Sequence, residues 1–380
     1  MIQDYIIDRA RDTACLVMPL QIPVVPNTPP MERDEADAGA DRPPLIYFYY
    51  PPGADAAVVP ESMGVFRDQP GKYVWTVKTY GYLSRMGFSC RLTERLPDEG
   101  IIVTHREFFT NRMIPNRRQL FVCIVADYWR HPFAQLHLVQ NPQDPMLVRR
   151  SRAWPAAFLP LWPEAGLIPR DPARADTFAN VSYFGLPARL APQLRSAQFA
   201  ARMREHGFNF RIVGRDAWND YSDTDAVLAV RTFAAVSLHK YPPSKLYNSW
   251  IAGVPALLGP ESAYQAERRS AYDYFEVHSV DEVLRTLDHL RGDAALRAEV
   301  ARNCTERAAG VDPARLAEAW AAFLNTVAVP AYADWRRRSS ASRGTFLVTR
   351  LFRYAVFVCA DFVIRGMGLL RKQARALVPY

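Results

Sequence analysis

Cysteine is sparse in this 380-residue chain: Cys15, Cys90, Cys123, Cys304 and Cys359 stand far apart, with no Cys-x-x-Cys pair among them. An odd, scattered set excludes a disulfide framework and offers no zinc-ligand spacing, so a reducing compartment is expected. Long apolar runs are missing too. No window reaches the roughly 18 uninterrupted apolar residues that a membrane-spanning helix needs. The opening stretch MIQDYIIDRARDTACLVMPL carries Asp4, Asp8, Arg9 and Arg11 within its apolar pattern, with no basic region ahead of a hydrophobic one. No export signal is expected from it. A Walker-type glycine loop and a Gly-x-Gly-x-x-Gly run are likewise absent, which argues against kinase, ATPase and dehydrogenase chemistry. No internal repeat at solenoid or propeller spacing is found.

Hydrophobic residues make up 49% and charged residues 23% of the chain, and the net charge is +8. This is enough apolar surface for two ordinary cores, and the length favours two domains over one. The positive balance suits phosphate-bearing ligands or an anionic lipid surface. Residues 22–44 are proline- and acid-rich without hydrophobic period and read as a loop. Strand signals follow at 45–50, 88–92, 101–104 and 120–125, with a helical period over 73–86 that stops at Gly87. Between Trp154 and Pro172 the prolines of AWPAAFLPLWPEAGLIPRDP remove backbone donors, which predicts an interdomain linker. A second alternation then runs through strands at 181–184, 210–213, 226–230 and 256–258, with a helix over 191–206. Strands interleaved with helices predict parallel sheets covered on both faces. The expected division is a Rossmann-like domain over 1–165, a second over 175–330 and a basic amphipathic helical tail over 331–380.

The densest chemistry lies in HKYPPSKLYNSWIAGVPALLGPESAY, residues 239–264. Pro242 and Pro243 keep the chain extended, Ser244 is expected to cap a helix over 245–252, and Gly253-Val254-Pro255 stops it before a buried strand. A helix start presents unpaired N–H groups and partial positive charge, to which Lys240 and Lys245 add two cations. That arrangement suits a diphosphate. Upstream, Arg231 closes the apolar run 226–230, where its fork can grip a phosphate or pair with Asp223 or Asp225.

Residues 244–261, and AGVPALLGPE above all, resemble the donor-domain signature of GT-B glycosyltransferases. Retaining members carry two glutamates at the positions held here by Lys240 and Asn248, whereas Ser244-Lys245-Leu246-Tyr247 is similar to the helix start of inverting fucosyltransferases. The fragments LHLVQNP, GLIPRD and YFGLP extend a likeness to unassigned bacterial glycosyltransferase-like proteins over about 45–330. The resemblance implies two facing doubly wound α/β domains of the GT-B type. It implies a nucleotide-diphosphate sugar as co-substrate, Lys245 on donor phosphate, and Glu261 or Asn248 on the ribose hydroxyls. No Asp-x-Asp is counted among the metal-holding motifs, and cations with a helix dipole can replace the ion such a motif holds, so no obligatory metal or other cofactor is expected.

Glycosyl transfer deprotonates the acceptor hydroxyl, so a base is expected on the N-terminal domain at a strand's carboxyl end. His105, Glu107 and Asp127 occupy such places, while His137, in an apolar setting, reads as a core residue. The implied acceptor is a glycan or a lipid-linked sugar in surface polysaccharide or glycolipid synthesis. A silent GT-B-fold scaffold and a sugar-nucleotide epimerase are the alternatives. From 335 to about 375, basic residues alternate with Phe and Leu, which suits a helix lying on an anionic membrane surface or packing back on the first domain. A cytoplasmic protein, peripheral on the inner face of the plasma membrane, is expected. Nucleic acid is not an expected partner, since no recognised module accompanies the basic residues.

Overall fold

The computed structural model describes residues 43–52, 71–148, 154–234 and 238–376, with backbone alone over 361–376. The N-terminal stretch, Cys15 and nearly all of the expected loop over 22–44 lie outside the described residues.

Six parallel strands come first: β1 (Ile46–Tyr49), β2 (Arg91–Thr93), β3 (Gly100–His105), β4 (Gln119–Ile124), β5 (Leu136–Val139) and β6 (Ala156–Phe158). Their spatial order is β2-β1-β3-β4-β5-β6. Side chains alternate between two apolar clusters, Ile101, Val103, Leu120 and Val122 in one, Ile102, Phe121 and Cys123 in the other. Both faces of this sheet are therefore covered, which is why β3, β4 and β5 are buried throughout and read as unbroken apolar runs. Strand β6 lies inside the stretch expected to be pure linker. It pairs only with β5, and as a three-residue edge strand between Pro155 and Pro160 it needs few donors.

Five more parallel strands form the second sheet: β7 (Asn180–Phe184), β8 (Asn209–Val213), β9 (Ala226–Ala229), β10 (Ala256–Leu258) and β11 (Phe275–Glu276). Their order is β11-β10-β9-β7-β8. In each sheet the strand order reverses once, between β1 and β3 and between β7 and β9, so the chain builds two doubly wound α/β halves.

Residues 71–85 form one helical stretch, α1, with a π segment at Val74–Lys78 inside it. The second half carries α2 (Ala197–Glu205), α3 (Ser244–Ala252), α4 (Ser262–Glu267), α5 (Val280–Gly292) and α6 (Ala294–Ala308). Helix α7, residues 313–337, then joins the core of the first half: Leu316, Trp320, Phe323 and Trp335 are buried there, and Trp320 meets both Phe48 and Trp75 at 6.2 Å between ring centroids. Trp335 Nε1 donates to the Asn116 carbonyl at 2.9 Å. Each large ring buried this way contributes on the order of 3 kcal/mol, so this return closes the first half. Helix α8 (Ser340–Ala376) follows, and among the described residues no helix is long and apolar enough to cross a membrane.

Candidate active site

At the reversal in the second sheet the carboxyl ends of β7 and β9 open a narrow crevice, lined by Tyr183, Arg189, Val230, Arg231, Lys245 and Glu261 among others. This is the place where doubly wound sheets hold ligands. Arg231 stands two residues past the end of β9, and its guanidinium donates to Glu261 Oε2 while lying 4.4 Å from the Tyr241 ring centre. Arg189, in the loop after β7, donates to the Tyr241 hydroxyl at 2.8 Å. Glu261 precedes α4 and is buried; its Oε2 faces Arg231, but its Oε1 has no partner. Burial raises its carboxyl above the usual range, against the pull of Arg231. A buried oxygen without a donor is costly, which makes this atom a natural acceptor for a ligand hydroxyl.

Lys245 stands in the first turn of α3, with Nζ 5.2 Å from the Trp218 ring centre. It keeps some contact with solvent, yet desolvation pushes its ammonium down to about 8, with Glu164 opposing the shift. Ser244 is not the cap expected of it. Pro243 takes that position, and its carbonyl accepts from Leu246 N at 3.0 Å and Tyr247 N at 3.1 Å, so Ser244 falls one place inside the helix. The stop is as expected, with Gly253 left-handed at φ 71°.

Across the crevice lie the carboxyl ends of the first sheet. His105 ends β3 almost fully buried; its Nδ1 accepts from Glu107 N at 3.3 Å, which assigns the ring proton of the neutral imidazole to Nε2. Burial drops its pKa to about 4. Glu107 accepts from Lys72 Nζ at 2.6 Å and from the Tyr128 hydroxyl at 3.2 Å, and Lys72 holds its carboxyl below the usual range. Asp127 differs from both. Ala126, left-handed at φ 46°, turns the chain after β4 so that Asp127 sits exposed at the mouth of the crevice. A non-glycine residue in that conformation costs on the order of 1 kcal/mol, and such strain concentrates at functional sites. The crowded mouth desolvates the carboxyl and raises its pKa, while Gln140 Nε2 at 2.9 Å and the charges of Arg189, Arg231 and Lys240 oppose the shift.

Of the residues singled out in the sequence, the structure brings Arg231, Lys245 and Glu261 together, with Asp127 facing them. Lys240 lies at the seam: its Nζ is 3.3 Å from the Trp129 ring centre, and its carbonyl accepts from Gln140 Nε2 at 2.6 Å. Asn248 is buried in α3, where its Oδ1 accepts from Glu164 N at 3.0 Å, so that oxygen faces the connection between the halves and not the crevice. Neither aspartate considered as an alternative partner for Arg231 pairs with it. Asp223 and Asp225 are held instead by Arg170, Arg174 and Arg211, and Asp225 also accepts from Ala179 N and Asn180 N. These two form an Asp-x-Asp, Asp223-Thr224-Asp225, which the expectation of no metal leaves out of account. It stands at the amino end of β9, away from the crevice, with both carboxylates engaged by arginines. A larger hollow beside β8, lined by Arg211, Asp220 and Asp223, adjoins this ion-pair network and not the facing edges. His137 is a core residue, fully buried with Nε2 against the His131 carbonyl.

Sequence reasoning missed Arg189 and Gln140. Arg189 had a signal, a cation five residues beyond a strand that ends in Phe184-Gly185. Gln140 had none, because its role depends on accepting from Trp75 Nε1 at 3.2 Å while donating to both halves.

No family model matches the chain, and no curated protein does. Among solved structures, HepE from Anabaena in complex with UDP is 13% identical, covering 74% of this chain and 100% of that one at a TM-score of 0.45. Sucrose-phosphate synthase from Thermosynechococcus elongatus is 14% identical over 68% and 78% at 0.42. AviGT4, a glycosyltransferase involved in avilamycin A biosynthesis, is 15% identical over 78% and 99% at 0.40. At these values the likeness decides nothing further, and what the crevice can do follows from its own residues.

Proposed function

We propose that the chain is a glycosyltransferase that binds a nucleotide-diphosphate sugar between its halves and passes the sugar to a hydroxyl held on the first. The observation that carries this reading is the orphaned, buried Oε1 of Glu261 in a crevice that also presents Arg189, Arg231 and Lys245. A carboxylate oxygen seeking hydroxyl donors beside three cations matches a ribose joined to a diphosphate. The amino end of α3 adds its dipole to the same charge. These groups neutralise the leaving diphosphate without an obligatory metal.

Asp127 is the base this reading selects. It is accessible, its pKa is raised and it faces the cations, whereas His105 has its ring proton on Nε2 and Glu107 is tied to Lys72. Attack by the acceptor oxygen forms the new glycosidic bond, the bond from anomeric carbon to phosphate oxygen breaks, and Asp127 takes the hydroxyl proton. The acceptor is a glycan or a lipid-linked sugar, and the tail would bring the enzyme to the latter at an anionic membrane surface. Incubation with a panel of sugar nucleotides tests the reading: one member should raise the melting temperature and be slowly hydrolysed. A panel with no stabilising member would refute it.

A further inference from the structure

Helix α8 has two apolar faces where a surface helix has one. Its inner face is packed. Phe346 meets Trp335 at 5.0 Å between ring centroids, buried Arg350 donates to the Ala134 carbonyl at 3.2 Å, Tyr354 accepts from Asn111 Nδ2 at 3.2 Å, and Phe357 meets Trp129 at 5.0 Å. The outer face shows Val348 at 70% exposure, Leu351 at 57%, Phe352 at 69%, Val356 at 53% and Val358 at 46%. At 3.6 residues per turn these five span an arc of roughly 160°, opposite the packed four. A contiguous apolar stripe of this kind marks a contact surface.

Charge identifies what covers it. From 335 to 380 the chain holds nine arginines and Lys372 against a single acid, Asp361. Two copies of so cationic a helix repel, whereas an anionic lipid leaflet attracts it and receives the apolar stripe. The helix also connects to the segment that precedes α3. Trp129, which takes Phe357 against its ring, carries the Lys240 ammonium at 3.3 Å from its ring centre, and Lys240 belongs to the segment leading into α3. Phe357, Trp129 and Lys240 thus join the tail to both halves in one stack.

We propose that the outer face of α8 over 348–358 is a lipid-binding surface, coupled through Trp129 to the donor crevice, so that membrane attachment and nucleotide binding strengthen each other. The coupling rests on the reading of the crevice given above; the surface does not. By linkage, the factor by which vesicles raise nucleotide affinity equals the factor by which nucleotide raises vesicle affinity.

The test uses the full chain, vesicles of phosphatidylcholine with or without phosphatidylglycerol, and the tightest binder among UDP, GDP, ADP and CDP. Wild type should sediment with the anionic vesicles, less so as salt rises, and should bind the nucleotide several-fold more tightly in their presence. The double variant Leu351→Glu, Phe352→Glu should lose vesicle binding by about tenfold or more. Its nucleotide affinity in vesicle-free buffer should stay unchanged. Phe357→Leu, which keeps apolar bulk on the packed face but removes the ring set against Trp129, should keep vesicle binding and an unaltered circular dichroism spectrum but lose the vesicle effect on nucleotide affinity. A wild type that ignores anionic vesicles overturns the surface, as does a double variant that only converts a dimer to a monomer. Vesicle binding that leaves nucleotide affinity unmoved overturns the coupling. If no nucleotide binds, the crevice reading and the coupling fall with it, while the vesicle measurements still decide the surface.

Discussion

The two sheets are built alike, all parallel and reversing once, yet their facing edges carry opposite chemistry. The second sheet ends in cations, Arg189, Arg231 and Lys245, around the lone oxygen of Glu261. The first ends in Asp127, Glu107 and the exposed rings of Tyr128 and Trp129. The same backbone plan thus carries two kinds of edge, and the few residues after each strand decide which. Between the edges, Gln140 donates to Asp127 on one side and to the Lys240 carbonyl on the other, and Asn141 Nδ2 donates to Ser262 Oγ at 3.1 Å, so the facing is fixed by direct bonds.

Substitutions can break this contrast in graded steps. Arg231→Ala should have the largest effect, because it leaves the buried Glu261 carboxylate without its cation; a loss of about 3 kcal/mol in urea unfolding is expected, with nucleotide binding abolished. Asp127→Asn should lower turnover roughly a hundredfold or more, while His105→Gln costs less than about tenfold. The Asp127 variant should not weaken nucleotide binding in calorimetry, since it removes a negative charge from a cationic site.

Lys245 gives the contrast a pH dependence. Burial lowers its pKa to about 8, so the charged form that attracts phosphate holds below that value and is lost above it. Nucleotide affinity should be flat at lower pH and fall as pH rises through about 8, and Lys245→Arg should remove the fall because guanidinium stays charged. The smallest effect is expected at Lys240, which stands at the seam and not among the crevice-lining residues, so its charge reaches a bound diphosphate only through screened, longer-range attraction and Lys240→Met should weaken nucleotide binding by about fivefold or less.

Much of the fold was legible because buried parallel strands announce themselves: 101–104, 120–125 and 256–258 were readable as apolar runs bounded by turns. The edge strand β6 was hidden, since its prolines suit an edge as well as a linker. That Lys245 and Glu261 come together at one crevice was legible from the turn Gly253-Val254-Pro255 that sets their spacing. Asn248 misled for a plain reason: sequence spacing gives a residue's place on a helix but not the direction its amide oxygen takes. The choice of Asp127 over His105 needed three dimensions, because it turns on which imidazole nitrogen meets the Glu107 amide and on the left-handed turn at Ala126.

The most direct test of the central claim is calorimetric titration of UDP, GDP, ADP and CDP into the wild type and into Lys245→Ala. The crevice should bind one of them, and the variant should bind it about tenfold to a hundredfold more weakly while remaining folded. Equal affinity in the two proteins, or no binding by any of the four, would contradict a diphosphate site between the carboxyl ends of β7 and β9.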